Sequence, residues 1–133
     1  MDFSKIAYDN FFKWVHAVKE LDVEGILYLY SEEATFLPTI SSDFKQGKSG
    51  VRSYFKHFFK NAPVCKKIQD VVQPLSEEAY LQSGFYDFIL DTKDGSLATI
   101  RARFTFVWKK EGDGMWRIIH HHSSTLPADD GID

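Results

Sequence analysis

The sequence has 133 residues, a net charge of −3 at neutral pH, and 44% hydrophobic against 26% charged residues. A chain of this size can bury a core without covalent staples, and with one cysteine, Cys65, an internal disulfide is impossible. Nucleic acid is excluded as the main partner because no basic block exceeds Lys66-Lys67 and Lys109-Lys110, and a membrane span is excluded because no apolar run approaches ~20 residues.

The start, Met1-Asp2-Phe3-Ser4-Lys5-Ile6, lacks the basic and then apolar pattern of a signal peptide. The lone thiol fits a reducing cytoplasm. Aromatic residues reach 16%, more than a small core needs, so an aromatic-lined cavity, an oligomer interface or both are expected.

Asp2 or Ser4 can cap a first helix, in which Phe3, Ala7, Phe11, Trp14, Val15, Val18 and Leu21 form one apolar stripe. Asp22 caps a short second helix through Tyr30. Ala34 to Leu37 reads as a strand stopped by Pro38, and 41–50 as a loop. Ser49 caps a third helix carrying Val51, Tyr54, Phe55, Phe58 and Phe59 on one face, ended by Asn61-Ala62-Pro63.

From Val64 the period shortens to two, which predicts strands over 64–73, 79–91, 97–110 and 115–125, with turns at Asp94-Gly95 and at 111–114. The plan is α+β: three N-terminal helices packed on a strongly curved, mainly antiparallel sheet. One domain over 1–127 and a flexible acidic tail over 128–133 are expected.

The turns predict cross-strand neighbours. A two-residue turn at Asp94-Gly95 pairs Asp87 with Ala102 and Phe85 with Phe104. A four-residue turn at 111–114 pairs Phe104 with His121 and Ala102 with Ser123. The inner face then holds polar Asp87, His121 and Ser123 among Phe85, Phe104 and Phe106, a mixture typical of ligand pockets. The outer face holds Tyr86, Phe88, Leu90, Arg101, Arg103, Val107, Ile118, His120 and His122. It is too apolar for a solvated face, so a homo-oligomer, first of all a dimer, is expected to form through it.

The stretch from Arg103 to Trp108, a turn, then Trp116-Arg117-Ile118-Ile119-His120-His121-His122-Ser123-Ser124 and Pro127 resembles the end of a SnoaL-like domain. It is most similar to the association (hub) domain of calcium/calmodulin-dependent protein kinase II and its free-standing bacterial relatives, in the nuclear transport factor 2-like superfamily. The helix order and Gln46-Gly47-Lys48-Ser49-Gly50-Val51 agree with this. The resemblance implies a cone-shaped pocket between sheet and helices, and dimers or larger rings. It implies no single activity, since the superfamily includes isomerases, cyclases, dehydratases and scaffolds. The hub's arginine after its His-Phe-His is Ser123 here, and the arginine before its Val-Trp is Phe106, so an arginine-lined pocket is not expected.

Three functions stay open. The first is a homo-oligomeric domain binding an unidentified small molecule, with Trp14, Tyr54, Phe85, Phe104, Phe106 and Ser123 as ligand-binding residues. The second is an isomerase, cyclase or dehydratase in which Asp87 and His121 are the catalytic acid and base. Burial would raise the Asp87 pKa, as steroid isomerases of the superfamily use aspartates, and imidazole suits proton transfer near neutrality. The third is an oligomerisation scaffold without ligand. No motif calls for a cofactor. His120 and His122 share a face, but without a third ligand no metal site is expected.

Overall fold

The structure, a computed structural model, describes residues 2–127; the expected tail over 128–133 lies outside the described residues. Helix α1 spans Ser4–Lys19, α2 Val23–Tyr28 and α3 Gly47–Phe58, followed by one 3-10 turn at Phe59–Asn61. The strands are β1 (Tyr30–Leu37), β2 (Lys45–Gln46), β3 (Val64–Ser76), β4 (Ala79–Asp91), β5 (Leu97–Lys110) and β6 (Trp116–Thr125). They form one sheet in the order β2-β1-β6-β5-β4-β3. Every pairing is antiparallel except that of β1 with β6, which is parallel. No helix among the described residues is long and apolar enough to cross a membrane.

The α1 stripe is buried from Phe3 to Val18 apart from the half-buried Val15, whereas Leu21 lies beyond the helix and is exposed. Ala7, Phe11, Trp14, Ala17 and Val18 are buried against the concave face of the sheet. Asp22 caps α2 by accepting the Gly25 N–H at 2.9 Å. The expected Ser49 cap is absent: α3 begins two residues earlier, at Gly47, whose φ of +68° is the left-handed turn that admits glycine readily. Trp14, Tyr30, Phe36, Phe55, Phe106 and Trp108 are among the fully buried side chains. Each contributes roughly 1.5–3 kcal/mol or more of apolar burial.

Edge strand β3 bulges between Lys67 and Gln69 and there passes very close to β4. A Cβ on Gly84 would lie 1.9 Å from the Gln69 carbonyl oxygen and 2.8 Å from Asp70 Cα, so only glycine fits.

The β4–β5 register differs from the expectation by one residue. Asp91 pairs with Leu97 across a five-residue loop, not Lys93 with Ser96 across two. The Asp94 carboxylate organises this loop by accepting the Ser96 N–H at 3.0 Å and the Thr92 and Ser96 hydroxyls. Lys93 and Gly95 take the positive-φ positions, at +71° and +90°. Because side chains alternate, one residue reverses the whole strand. Asp87 now opposes Arg101, and Phe85 opposes Arg103, both on the outer face; Tyr86, Phe88 and Leu90 are buried inside. The inward placement of Asp87 and Phe85, and the outward placement of Tyr86, Phe88 and Leu90, are thereby corrected.

In the β5–β6 hairpin two shifts compensate. The loop holds five residues, with Lys110 opposite Trp116, and a bulge at Ile119 separates the Trp108–Ile118 pair from the Val107–His120 pair. His121 and Ser123 therefore keep their inward direction but oppose Phe106 and Phe104, one row removed from the expected partners. Ile118, before the bulge, is fully buried and not on the outer face.

Candidate functional site

The concave face centres on His121, which is 1% exposed. Strand β6 delivers it into a ring stack. Its centroid lies 4.1 Å from that of Phe106 on β5 and 4.6 Å from that of Phe36 on β1, at interplanar angles of 26° and 9°. Trp14 of α1 meets the imidazole edge-on at 5.8 Å. These rings occupy the place where a central ligand cavity was expected.

Both imidazole nitrogens are engaged. Nδ1 lies 2.8 Å from the Tyr30 hydroxyl and Nε2 lies 3.1 Å from the Tyr86 hydroxyl. Tyr86 donates to Ser123 Oγ at 2.6 Å, Ser123 contacts Thr39 Oγ1, and Trp14 Nε1 donates to the Tyr30 oxygen at 3.2 Å. One proton arrangement satisfies every group. Since the Tyr86 proton goes to Ser123, the Tyr86 oxygen must accept from Nε2–H. Nδ1 is then the acceptor for the Tyr30 O–H. The order continues from Tyr86 through Ser123 to the Thr39 hydroxyl. Thr39 is half-buried, whereas Tyr30, Tyr86, His121 and Ser123 are buried.

Burial sets the protonation states. It pushes the His121 pKa well below the ordinary imidazole value, and neighbouring His120 and His122 act in the same direction. It raises the Tyr30 and Tyr86 phenols well above their ordinary value. At neutral pH the cluster is therefore an uncharged, closed network with one fixed tautomer, able to order the core and to align hydroxyls toward Thr39.

Of the expected site residues, the structure gathers Trp14, Tyr54, Phe104, Phe106, His121 and Ser123 on the concave side. Asp87 and Phe85 lie on the opposite face. Asp87 accepts from Arg101 Nε at 2.8 Å and from Nη2 at 3.2 Å, and this guanidinium holds its carboxyl below the usual range. The raised pKa that motivated an acid–base role is the reverse of what its surroundings impose, and the sheet separates it from His121. Tyr30, Tyr86 and Thr39 were missed. No local signal marks them: the inward neighbours of His121 are Phe36 and Phe106, and the two phenols reach it from the Tyr30–Ile118 and Tyr86–Ala102 rows.

On the outer face, His120 Nδ1 is 2.8 Å from Thr35 Oγ1, and His122 is exposed. Cross-strand pairing places Leu81 beside Val107 and His120, Ser83 beside Thr105 and His122, and Phe85 beside Arg103 and Ser124. Among the described residues no three His, Cys, Asp or Glu side chains come together to hold a metal ion.

The family model described as the calcium/calmodulin dependent protein kinase II association domain matches residues 8–127. The chain belongs to that family. A solved association domain assigned to the same kinase family, from Xanthomonas campestris, is 30% identical with a TM-score of 0.89, over 96% of this chain and 89% of its own. A nuclear transport factor 2-like superfamily protein from Salmonella enterica is 20% identical with a TM-score of 0.80, over 96% of this chain and 93% of its own. A ketosteroid isomerase-like protein from Erwinia carotovora is 11% identical with a TM-score of 0.78, over 96% of this chain and 98% of its own. At those lower identities the likeness concerns the fold alone, here the nuclear transport factor 2-like cone. No curated protein matched the chain.

Proposed function

We propose that this association domain works as an assembly module, pairing with a second copy of itself through the outer face of its sheet. The observation that carries this reading is the contrast between the two faces. The concave side is filled by its own rings, with His121 stacked between Phe36 and Phe106. The outer side leaves Leu81, Phe85 and Val107 half-buried in the isolated chain, apolar side chains around the Ser83–Thr105 pair and bordered by His120, His122 and Arg103. Such a surface on an antiparallel sheet can meet its own copy under a two-fold axis.

A small-molecule pocket at the centre of the cone has less support, because a ligand would have to displace stacked aromatics. The isomerase-type reading has least, because Asp87 and His121 lie on opposite faces. Sedimentation velocity on the full chain tests the proposal. The expected result is a dimer or larger assembly at micromolar concentration, with Leu81→Lys raising the dissociation constant at least about a hundredfold through an unpaired charge at the contact. A wild-type chain that sediments as a monomer at these concentrations refutes it.

A further inference from the structure

Three of the four arginines have carboxylate partners: Arg52 with Glu24, Arg101 with Asp87, and Arg117 with Glu111 and Asp113. Arg103 has none among the described residues. Register explains its surroundings. On β5 and β6, Arg103 sits opposite Ser124 and Thr105 sits opposite His122, so four outward side chains form the corners of one square. They line a depression of about 220 Å³ together with Phe104, and no carboxylate lines it. The outward carboxylate of β4 nearest this square in register, Asp87, is already held at both oxygens by Arg101.

The chemistry of the four groups converges. A guanidinium offers a planar fork of N–H donors suited to two oxygens of one anion. Either neutral tautomer of His122 carries a ring N–H, and the Thr105 and Ser124 hydroxyls can each donate one more bond. A pocket rich in donors, carrying positive charge and lined by no acid, selects an oxyanion. Its position on paired strands rather than a loop fixes the backbone spacing of the four residues.

We infer that Arg103, Thr105, His122 and Ser124 form a binding site for an oxyanion group, a phosphate or a carboxylate, on the outer face of the sheet. The site is built from one chain, so it stands or falls separately from self-association. If copies pair through this face, the anion is enclosed at the contact, which is why the test includes a chain carrying Leu81→Lys.

The experiment is a titration of the full chain with inorganic phosphate, and separately with acetate, against sodium chloride of equal ionic strength. It is followed by ¹⁵N NMR at Arg103 Nε and the His122 ring. Both the wild-type and the Leu81→Lys chains are titrated, with sedimentation reporting the assembly state of the same samples. Saturable shifts at both residues are expected in at least one of the two chains. The dissociation constant should rise at least tenfold with Arg103→Gln and by a smaller factor with Thr105→Val, while shifts at Arg101 Nε stay small. Phosphate binding without acetate binding would assign the site to phosphate groups, and the reverse to carboxylates. The inference is overturned if neither anion gives saturable shifts in either chain, or if Arg103→Gln binds as the wild type does.

Discussion

Replacing His121 by Phe separates the two roles of the imidazole, shape and proton chemistry. A phenyl ring keeps the stack between Phe36 and Phe106 but removes both hydrogen bonds. The Tyr86 hydroxyl still donates to Ser123, whereas the Tyr30 hydroxyl loses its acceptor, so at pH 7 the variant should be less stable by about 1–3 kcal/mol. Acid changes the comparison. Burial depresses the His121 pKa in the fold, so below the unfolded value of about 6.5 the unfolded chain binds a proton that the folded chain refuses. The wild type therefore loses stability as pH falls through that value, by about 1.9 kcal/mol between pH 7 and pH 5 if His121 stays neutral throughout.

His121→Phe has no such proton to take up. His120, also depressed by burial and by His122, acts in the same window in both proteins and cancels in the difference. The carboxylates Asp87 and Asp113, depressed by hydrogen bonds and by Arg101 and Arg117, lose their contribution only as pH falls through their ordinary value of 3.8, outside this range. Urea denaturation at pH 7, 6 and 5 should show the gap between the two proteins closing by most of that amount. An unchanged gap would refute the view of His121 as a buried neutral base.

Two further substitutions test the register and the close approach of β3. Gly84→Ala must push the β3 bulge away from β4 and should destabilise by more than about 3 kcal/mol in urea denaturation; a near-neutral effect would mean that the two strands do not approach as described. Asp87→Asn should leave the thermal midpoint at neutral pH within about 2 °C of wild type, because its ion pair lies on the outer face. A larger loss would indicate that the carboxylate is inside.

The order of the three helices and of the long strands was legible because both depend on local periodicity, whereas β2 lies in the stretch read as a loop and Tyr30, read as helical, opens β1. The α1 stripe through Trp14 and Val18 and the alternation in β5 each specify a buried face without reference to any other part of the chain. The candidate site was only half legible for the same reason. The inward direction expected for His121 and Ser123 agrees with the structure only because two unforeseen shifts, a longer loop at 111–115 and the bulge at Ile119, cancel in parity. Asp87 had no compensating shift, and its face was reversed.

What the sequence determined by itself was therefore the α+β plan, the inward face of β5, and the resemblance that its last strand carries. Tertiary structure decided which side chains meet. Asp94 captures the hydroxyls and the N–H that reshape one hairpin, a bulge re-aims the other, and α1, β1 and β4 then supply Trp14, Tyr30 and Tyr86 around His121. Those contacts depend on register, and a single residue in a turn, invisible to periodicity, is enough to exchange the two faces of a strand.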